Sequence, residues 1–374
     1  MSFTPPSRKL VFHIGHHKTG STTIQDALAT GRMTLTAGQL LYPARMAHNY
    51  LRRHFETYAS EGRTLPGTPG FPGLRAISER LQNGNFDIAV ISGEDFEDTD
   101  ASQAQKVLQD FMLPHVSEYV VICYVRPHAP RILSSFAENV KLGFFSGTPD
   151  DFYAKTFQSG RFGYAQKLSG WTAAFQKNFL LRPMIRSELV DGSILQDFAA
   201  NGFGPKYPVS ITPAPAANES LCLENLILMR LVQNCLVGRK RDLLHAMGWQ
   251  ISAAISAVAM PKTQGTRLML HKALAEKIRA SYLADAGAMD NQFFGGKPLL
   301  RNDLDRAVDE ALPDAQSFKP EDHFSAETLR IVAILGDQIN QLLDHQSGPW
   351  PKFLKERRIA RLHGEDPMRM AEDN

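Results

Sequence analysis

Between Lys9 and Gln25 the chain reads KLVFHIGHHKTGSTTIQ, and its reactive side chains come in a definite order. Two histidines, His16 and His17, are followed by Lys18, Thr19, Gly20 and the hydroxyl run Ser21, Thr22 and Thr23. Gly15 and Gly20 let the backbone approach a ligand closely, and a helix starting after the turn aims N–H groups and its positive dipole end at an anion. Lys18 adds a full positive charge and the hydroxyls add donors. A Walker loop ends Gly-Lys-Ser/Thr; here the lysine precedes Gly20, so the stretch is an anion site of another kind. Further on, in VVICYVRPHAPRILSSF, Arg126 ends an apolar run, with Arg131 and Ser134 five and eight residues later. A guanidinium at a strand end can grip a phosphate through two parallel N–H bonds. On a helix over 127–140, Arg131 and Ser134 share one face.

The two stretches together resemble the sulfotransferases that use 3′-phosphoadenosine-5′-phosphosulfate (PAPS). KTGSTTIQ is similar to that family's 5′-phosphosulfate loop, commonly Lys-Thr-Gly-Thr-Thr after an apolar strand, with Ser21 in place of the first of those threonines. The second stretch is similar to the family pattern Arg-Asn-Pro-x-x-Arg-x-x-Ser; His128-Ala129 and the shifted Pro127 depart from it in the turn. The resemblance implies that His17, Lys18, Thr19, Gly20, Ser21, Thr22 and Thr23 hold the 5′ end of PAPS, and that Arg126 and Ser134 hold the 3′-phosphate. YAQKLSGWTAAFQKNFLL resembles the family's stretch before a strand, and Tyr164, Leu168, Trp171 and Phe175 in it recur at helical spacing, as core residues with no role in the site. The implied fold is the P-loop-NTPase-like sulfotransferase fold. The implied reaction is in-line transfer of a sulfuryl group from PAPS to a hydroxyl or amine; the aromatics of GFFSGTPDDFY and NQFFGGKP suit a carbohydrate, a lipid or a small phenol alike, and a carbohydrate or glycolipid is the acceptor expected first.

Such a transfer needs charge stabilisation on the leaving phosphate and a base for the acceptor's proton. Lys18 suits the first task. For the second, Glu94 in VISGEDF ends an apolar strand and should project into the crevice at the carboxyl edge of a parallel sheet. His48, in YPARMAHNYL, follows the first helix and could border the acceptor cleft; His16 and His17 lie in the loop itself. No metal is required by this scheme, and the histidines show no HExxH pattern.

The elements that must position these groups are legible as apolar runs. Strands are predicted over 9–15, 86–95, 118–126 and 178–185, the third near-continuously apolar as buried parallel strands tend to be. Thr22 or Ser21 is read as the cap of the helix after the loop, with Ile24 and Leu28 at helical spacing, and 62–75 is loop by its Gly and Pro content. Helical patterns between the strands make an α/β fold, a parallel sheet flanked by helices, the economical choice. A Pro-rich connector over 204–218 precedes helical segments near 221–240, 266–285 and 325–345, a mostly helical C-terminal part. The expected divisions are a PAPS-binding core over 1–205, a helical continuation on the acceptor side over 206–300, and an extension with a charged tail over 301–374.

Composition narrows the classes. The 374 residues are 43% hydrophobic and 21% charged, as in an ordinary globular protein, and the formal net charge of +2 gives no general surface for nucleic acid. Cys123, Cys222 and Cys235 have no metal-ligand spacing, which fits a reducing, cytoplasmic location. No signal-peptide core and no membrane-spanning run is present. Two other readings stay open: a P-loop kinase-like phosphotransferase, for which DIAVISGED imitates the acidic strand that holds Mg²⁺, and a non-catalytic nucleotide-binding scaffold.

Overall fold

The computed structural model describes residues 8–213, 221–258, 265–346 and 349–364. Its strands are β1 (Lys9–His13), β2 (Met33–Leu35), β3 (Leu40–Leu41), β4 (Ile88–Ser92), β5 (Glu118–Val125), β6 (Phe179–Pro183) and β7 (Val209–Ile211). The helices are α1 (Ser21–Ala29), α2 (Leu51–Glu61), α3 (Leu74–Asn83), α4 (Ala101–Phe111), α5 (His128–Lys141), α6 (Pro149–Gln158) and α7 (Ala165–Phe175). They continue with α8 (Ile194–Phe198), α9 (Leu223–Cys235), α10 (Arg241–Ala257), α11 (Lys272–Phe293), α12 (Leu299–Asp309), α13 (Ala326–Gln346) and α14 (Trp350–Leu362).

Five strands form one parallel sheet in the order β3-β4-β1-β5-β6. The first strand is therefore central, and the chain fills one side of it before crossing to the other. That reversal of winding opens a crevice at the carboxyl ends of the strands, where β1, β4 and β5 each hand over to a loop. β1 and β4 are buried along nearly their whole length, which a parallel strand covered on both faces requires. One face packs Val11, Ile88, Val90, Ile122 and Tyr124 against Ile24 and Leu28 of α1 and Phe198 of α8. The other stacks Phe12 with Phe55 of α2 and Phe96, ring centroids 4.8–5.9 Å apart.

The predicted strands are present but shorter at their carboxyl ends. β1 stops at His13 and β4 at Ser92, because the chain turns there into the site loops. A small antiparallel pair, β2 with β7, was not expected from the sequence. Tyr164, Leu168, Trp171 and Phe175 are buried as read. The helical segments expected near 221–240, 266–285 and 325–345 appear as α9, α11 and α13, with α10 in addition. Residues 214–218 of the Pro-rich connector and the end of the charged tail lie outside the described residues.

The chain divides into two compact units, each assembled from three separate stretches. The first comprises 1–127, 163–214 and 285–300 and contains the sheet. The second comprises 128–162, 215–284 and 301–374, and its described elements are helices. These boundaries differ from the cuts expected at 205 and 300. The stretch 128–162 leaves the α/β core directly after Arg126–Pro127 and belongs to the helical unit, a departure that composition along the chain does not mark. No described helix is long and apolar enough to cross a membrane.

Candidate functional site

The β1–α1 loop is held open from both sides. His16 N–H donates to the Tyr124 carbonyl at 3.1 Å, and Tyr124 N–H donates to the Gly15 carbonyl at 2.8 Å, so β5 fixes the start of the loop. Gly15, at φ +89°, lies so close to the next strand end that a Cβ there would come within 2.9 Å of Glu94 Cα. Gly20, at φ +82°, caps α1, and a Cβ would meet Ile194 at 3.2 Å and Met184 at 3.3 Å. No side chain caps this helix start, so its first N–H groups point out of the turn unspent on a side chain. Lys18 sits between the glycines at φ +67°, a left-handed conformation that a non-glycine residue holds only against strain.

Glu94 converges on this loop from the end of β4. One carboxylate oxygen accepts the Ser21 hydroxyl proton, and the other lies 3.4 Å from His17 Nδ1. Asn49 orients the turn by accepting Glu94 N–H at 2.8 Å. Burial opposes the charge on Glu94, but the bond and charge of His17, the Ser21 hydroxyl and the Lys18 cation outweigh it and hold the carboxyl down at about 2. His17 is the counterpart. Burial opposes its protonation too, yet Glu94, Glu97 and Asp95 together raise its pKa above the ordinary value. Its Nε2 lies 3.5 Å from Asp95, and its backbone N–H donates to Glu97 at 3.0 Å. The loop therefore carries a histidine–carboxylate pair beside a lysine, with the histidine's proton affinity raised by its acidic neighbours.

Arg126, at the end of β5, reaches the same loop and donates to the Lys18 carbonyl at 3.4 Å. Tyr164, read from sequence as core alone, is buried but also fixes this corner. Its hydroxyl donates to the Arg126 carbonyl at 2.5 Å, and its ring stands edge-on to His16 at 5.5 Å.

Other expected site residues fall elsewhere. Thr19 is fully buried and its hydroxyl donates back to the His16 carbonyl, so it closes the loop and has no proton left for an anion. Ser21 likewise gives its single proton to Glu94, leaving only lone pairs for any other partner. Thr22 is half-buried and Thr23 exposed in the first turn of α1, with neither hydroxyl bonded among the described residues. His16 is buried and pairs with Glu97 at 3.0 Å. Ser134 is half-buried on α5 in the second unit, where Arg131 is buried with its guanidinium 5.2 Å above the Phe162 ring.

His48 does not border an open cleft. Its ring is fully buried, 4.8 Å from Tyr42 and 6.2 Å from Tyr50. Its Nδ1 lies 3.2 Å from the Ser92 N–H, which it accepts, and its own backbone N–H donates to the Ser92 carbonyl at 2.7 Å. Burial pushes its pKa down to about 3. Ser92 is a hub that the sequence reading missed, since His13 Nδ1 at 2.8 Å and Gln25 at 3.3 Å share its hydroxyl. His13, also fully buried, is pushed down to about 4, again chiefly by burial. The only advance signal for this hub was a serine immediately before the Gly-Glu-Asp turn.

These two buried histidines fix a pH dependence. A depressed histidine pKa means that the unfolded chain takes a proton near pH 6.5 that the folded chain refuses, so stability present above that pH is lost as the pH falls towards 4 and 3. Glu94 adds a loss only below about 4.5, its unfolded range, while His17 works in the opposite direction and loses its contribution as pH rises through its folded pKa. Denaturant unfolding is expected to show stability falling by a few kcal/mol between pH 7 and 4.5, at about 1.4 kcal/mol per unit of pKa difference as an upper scale. His48→Gln keeps an acceptor for Ser92 N–H without titrating and should flatten that slope; an unchanged slope would refute the assignment.

Comparison of the chain with protein-family models, with curated proteins and with solved structures finds no match in any of the three.

Proposed function

We propose that the first unit is the nucleotide-binding core of a PAPS-dependent sulfotransferase of P-loop-like fold, moving a sulfuryl group to a hydroxyl or amine of a carbohydrate or glycolipid acceptor. The observation that carries this reading is convergence. Glu94 and Arg126, from the ends of two other strands, both reach the loop that bears Lys18. The loop's donor set fits a phosphosulfate: an uncapped helix start, two glycines where a Cβ would intrude, and a lysine.

PAPS supplies an activated sulfuryl group; the chain supplies position, charge and a proton acceptor. Lys18 and the α1 N–H groups stabilise the charge that grows on the leaving 5′-phosphate. Arg126 takes the 3′-phosphate. Glu94 is assigned as proton acceptor for the attacking group by its position at the Lys18 loop. His17 lies beside it, and in its protonated form, which the acidic neighbours favour, offsets the carboxylate's repulsion of an incoming anion. His48, being buried and bonded to Ser92, keeps the Asn49–Glu94 turn in place.

Thermal unfolding with adenosine 3′,5′-bisphosphate, compared with ATP plus Mg²⁺, tests the reading. The bisphosphate at about 100 times its Kd is expected to add about 2.7 kcal/mol to stability. Stabilisation by ATP–Mg²⁺ with none by the bisphosphate would replace the sulfotransferase with a phosphotransferase.

A further inference from the structure

The second unit contains a cavity of about 120 Å³ whose walls include Gly143, Phe144, Phe145, Arg230, Gln233 and Asn234. Two of these residues carry unmet chemical demands. Gln233 is buried at 4% exposure and spends its amide N–H groups on the Lys141 carbonyl at 2.9 Å and the Leu244 carbonyl at 3.3 Å. Its Oε1 is buried and accepts no hydrogen bond among the described residues. That oxygen lies against Gly143, where a Cβ would come within 2.6 Å of it and where φ is +70°. A buried acceptor without a donor is destabilising, so the site asks for an O–H or N–H.

Arg230 makes the second demand. Its guanidinium donates to the Ser146 carbonyl at 3.2 Å and to the Phe318 carbonyl, and lies 5.5 Å from the Phe318 ring. No carboxylate pairs with it among the described residues, and burial lowers its pKa with no acid to oppose the fall. A partly desolvated cation with two N–H groups on carbonyls and others to spare is a seat for an anion. Phe144, with Arg241 4.1 Å over its ring, and Phe145, packed edge-on against Phe136 and Phe152, make fixed apolar walls.

We propose that this cavity is a binding site for a small hydroxycarboxylate, its carboxylate on Arg230 and its hydroxyl donating to Gln233 Oε1. Size sets the scale: an apolar cavity of about 150 Å³ takes benzene, so this one of about 120 Å³ seats about six heavy atoms, the size of a glycolate or a lactate. A free amino acid fits less well, since the cavity's walls hold no Asp or Glu to meet an ammonium. An inorganic sulfate satisfies Arg230 but brings no proton for Gln233. The inference stands apart from the sulfuryl-transfer reading and concerns the second unit alone.

Titration calorimetry and ligand-observed NMR on the full chain, with lactate, glycolate, acetate and glycerol as probes and no nucleotide, test it. Saturable binding of lactate or glycolate is expected, with acetate, which has no hydroxyl, and glycerol, which has no carboxylate, each bound about ten-fold more weakly or not at all. Arg230→Gln should abolish lactate binding, Arg230→Lys should keep part of it, and Gln233→Leu should erase the preference for lactate over acetate. Acetate binding as tightly as lactate to the unaltered protein, or no saturable binding of either hydroxycarboxylate, would overturn the proposal whether or not the variants fold.

Discussion

Under the proposed sulfuryl transfer, Lys18→Ala is expected to slow turnover of PAPS by about 10²–10³-fold, the usual loss when one preorganised charge-stabilising donor is removed from a transfer site. Lys18→Gly should be as inactive and yet no less stable than the parent. The residue sits at φ +67°, where a side chain costs about 1–2 kcal/mol that glycine does not incur. Glycine returns about 0.5–1 kcal/mol of that through its greater freedom when unfolded, so the net effect lies between nothing and a gain of about 1.5 kcal/mol. A substitution that removes activity while holding or raising stability separates a functional lysine from a structural one. Release of adenosine 3′,5′-bisphosphate from PAPS, with a mixed sugar and phenol acceptor set, reads the rate, and denaturant unfolding reads the stability. Wild-type turnover in Lys18→Ala would remove Lys18 from the mechanism. A loss of stability in Lys18→Gly of more than about 1 kcal/mol would show that the side chain holds the loop together.

The strain at Lys18 also shows what sequence can and cannot carry. The loop, the strand before it and the strand ends at Glu94 and Arg126 were legible because each is a local pattern: an apolar run, then glycine, charge and hydroxyl. The direction in which hydroxyl protons point is not local. Ser21 and Thr19 read as anion donors by type, but Ser21 gives its proton to a carboxylate 73 residues away, and Thr19 gives its own to the loop backbone. His48 failed as a base for a similar reason. Its spacing after the first helix says nothing of how the segment after β3 folds inward, and there Tyr42, Tyr50 and the Ser92 backbone enclose the ring. The β2–β7 pair joins Met33–Leu35 to Val209–Ile211, two three-residue strands too short to show a period. The two units interleave because 128–162 departs from the core at a strand end, where a helix would follow under either arrangement.

The stability of the site's platform rests on a residue that no motif marked. Asp197 of α8 is fully buried and accepts four hydrogen bonds. Arg182 Nε at 3.1 Å and Nη2 at 2.6 Å grip it in a bidentate pair, the Tyr124 hydroxyl donates at 2.8 Å, and the Val190 N–H donates at 3.1 Å. These bonds tie β5, β6 and α8 together, and α8 carries the Ile194 side chain that backs Gly20 of the loop. The Asp197 bond and charge raise the Arg182 pKa against a smaller opposing effect of burial. Asp197→Ala is expected to cost about 3 kcal/mol, the low end of the range for breaking a buried ion pair, because Arg182 is only partly buried and can recover some hydration. Asp197→Asn should cost less, since it still accepts from Tyr124 or Val190. The double variant Asp197→Leu/Arg182→Met should recover much of the loss, because with both charges gone no ion is left buried and alone. A double-mutant cycle by denaturant unfolding gives the coupling directly. A single-variant cost below about 1 kcal/mol would mean that α8 is held by the packing of Phe198 and Ile194, and that the loop's footing is apolar.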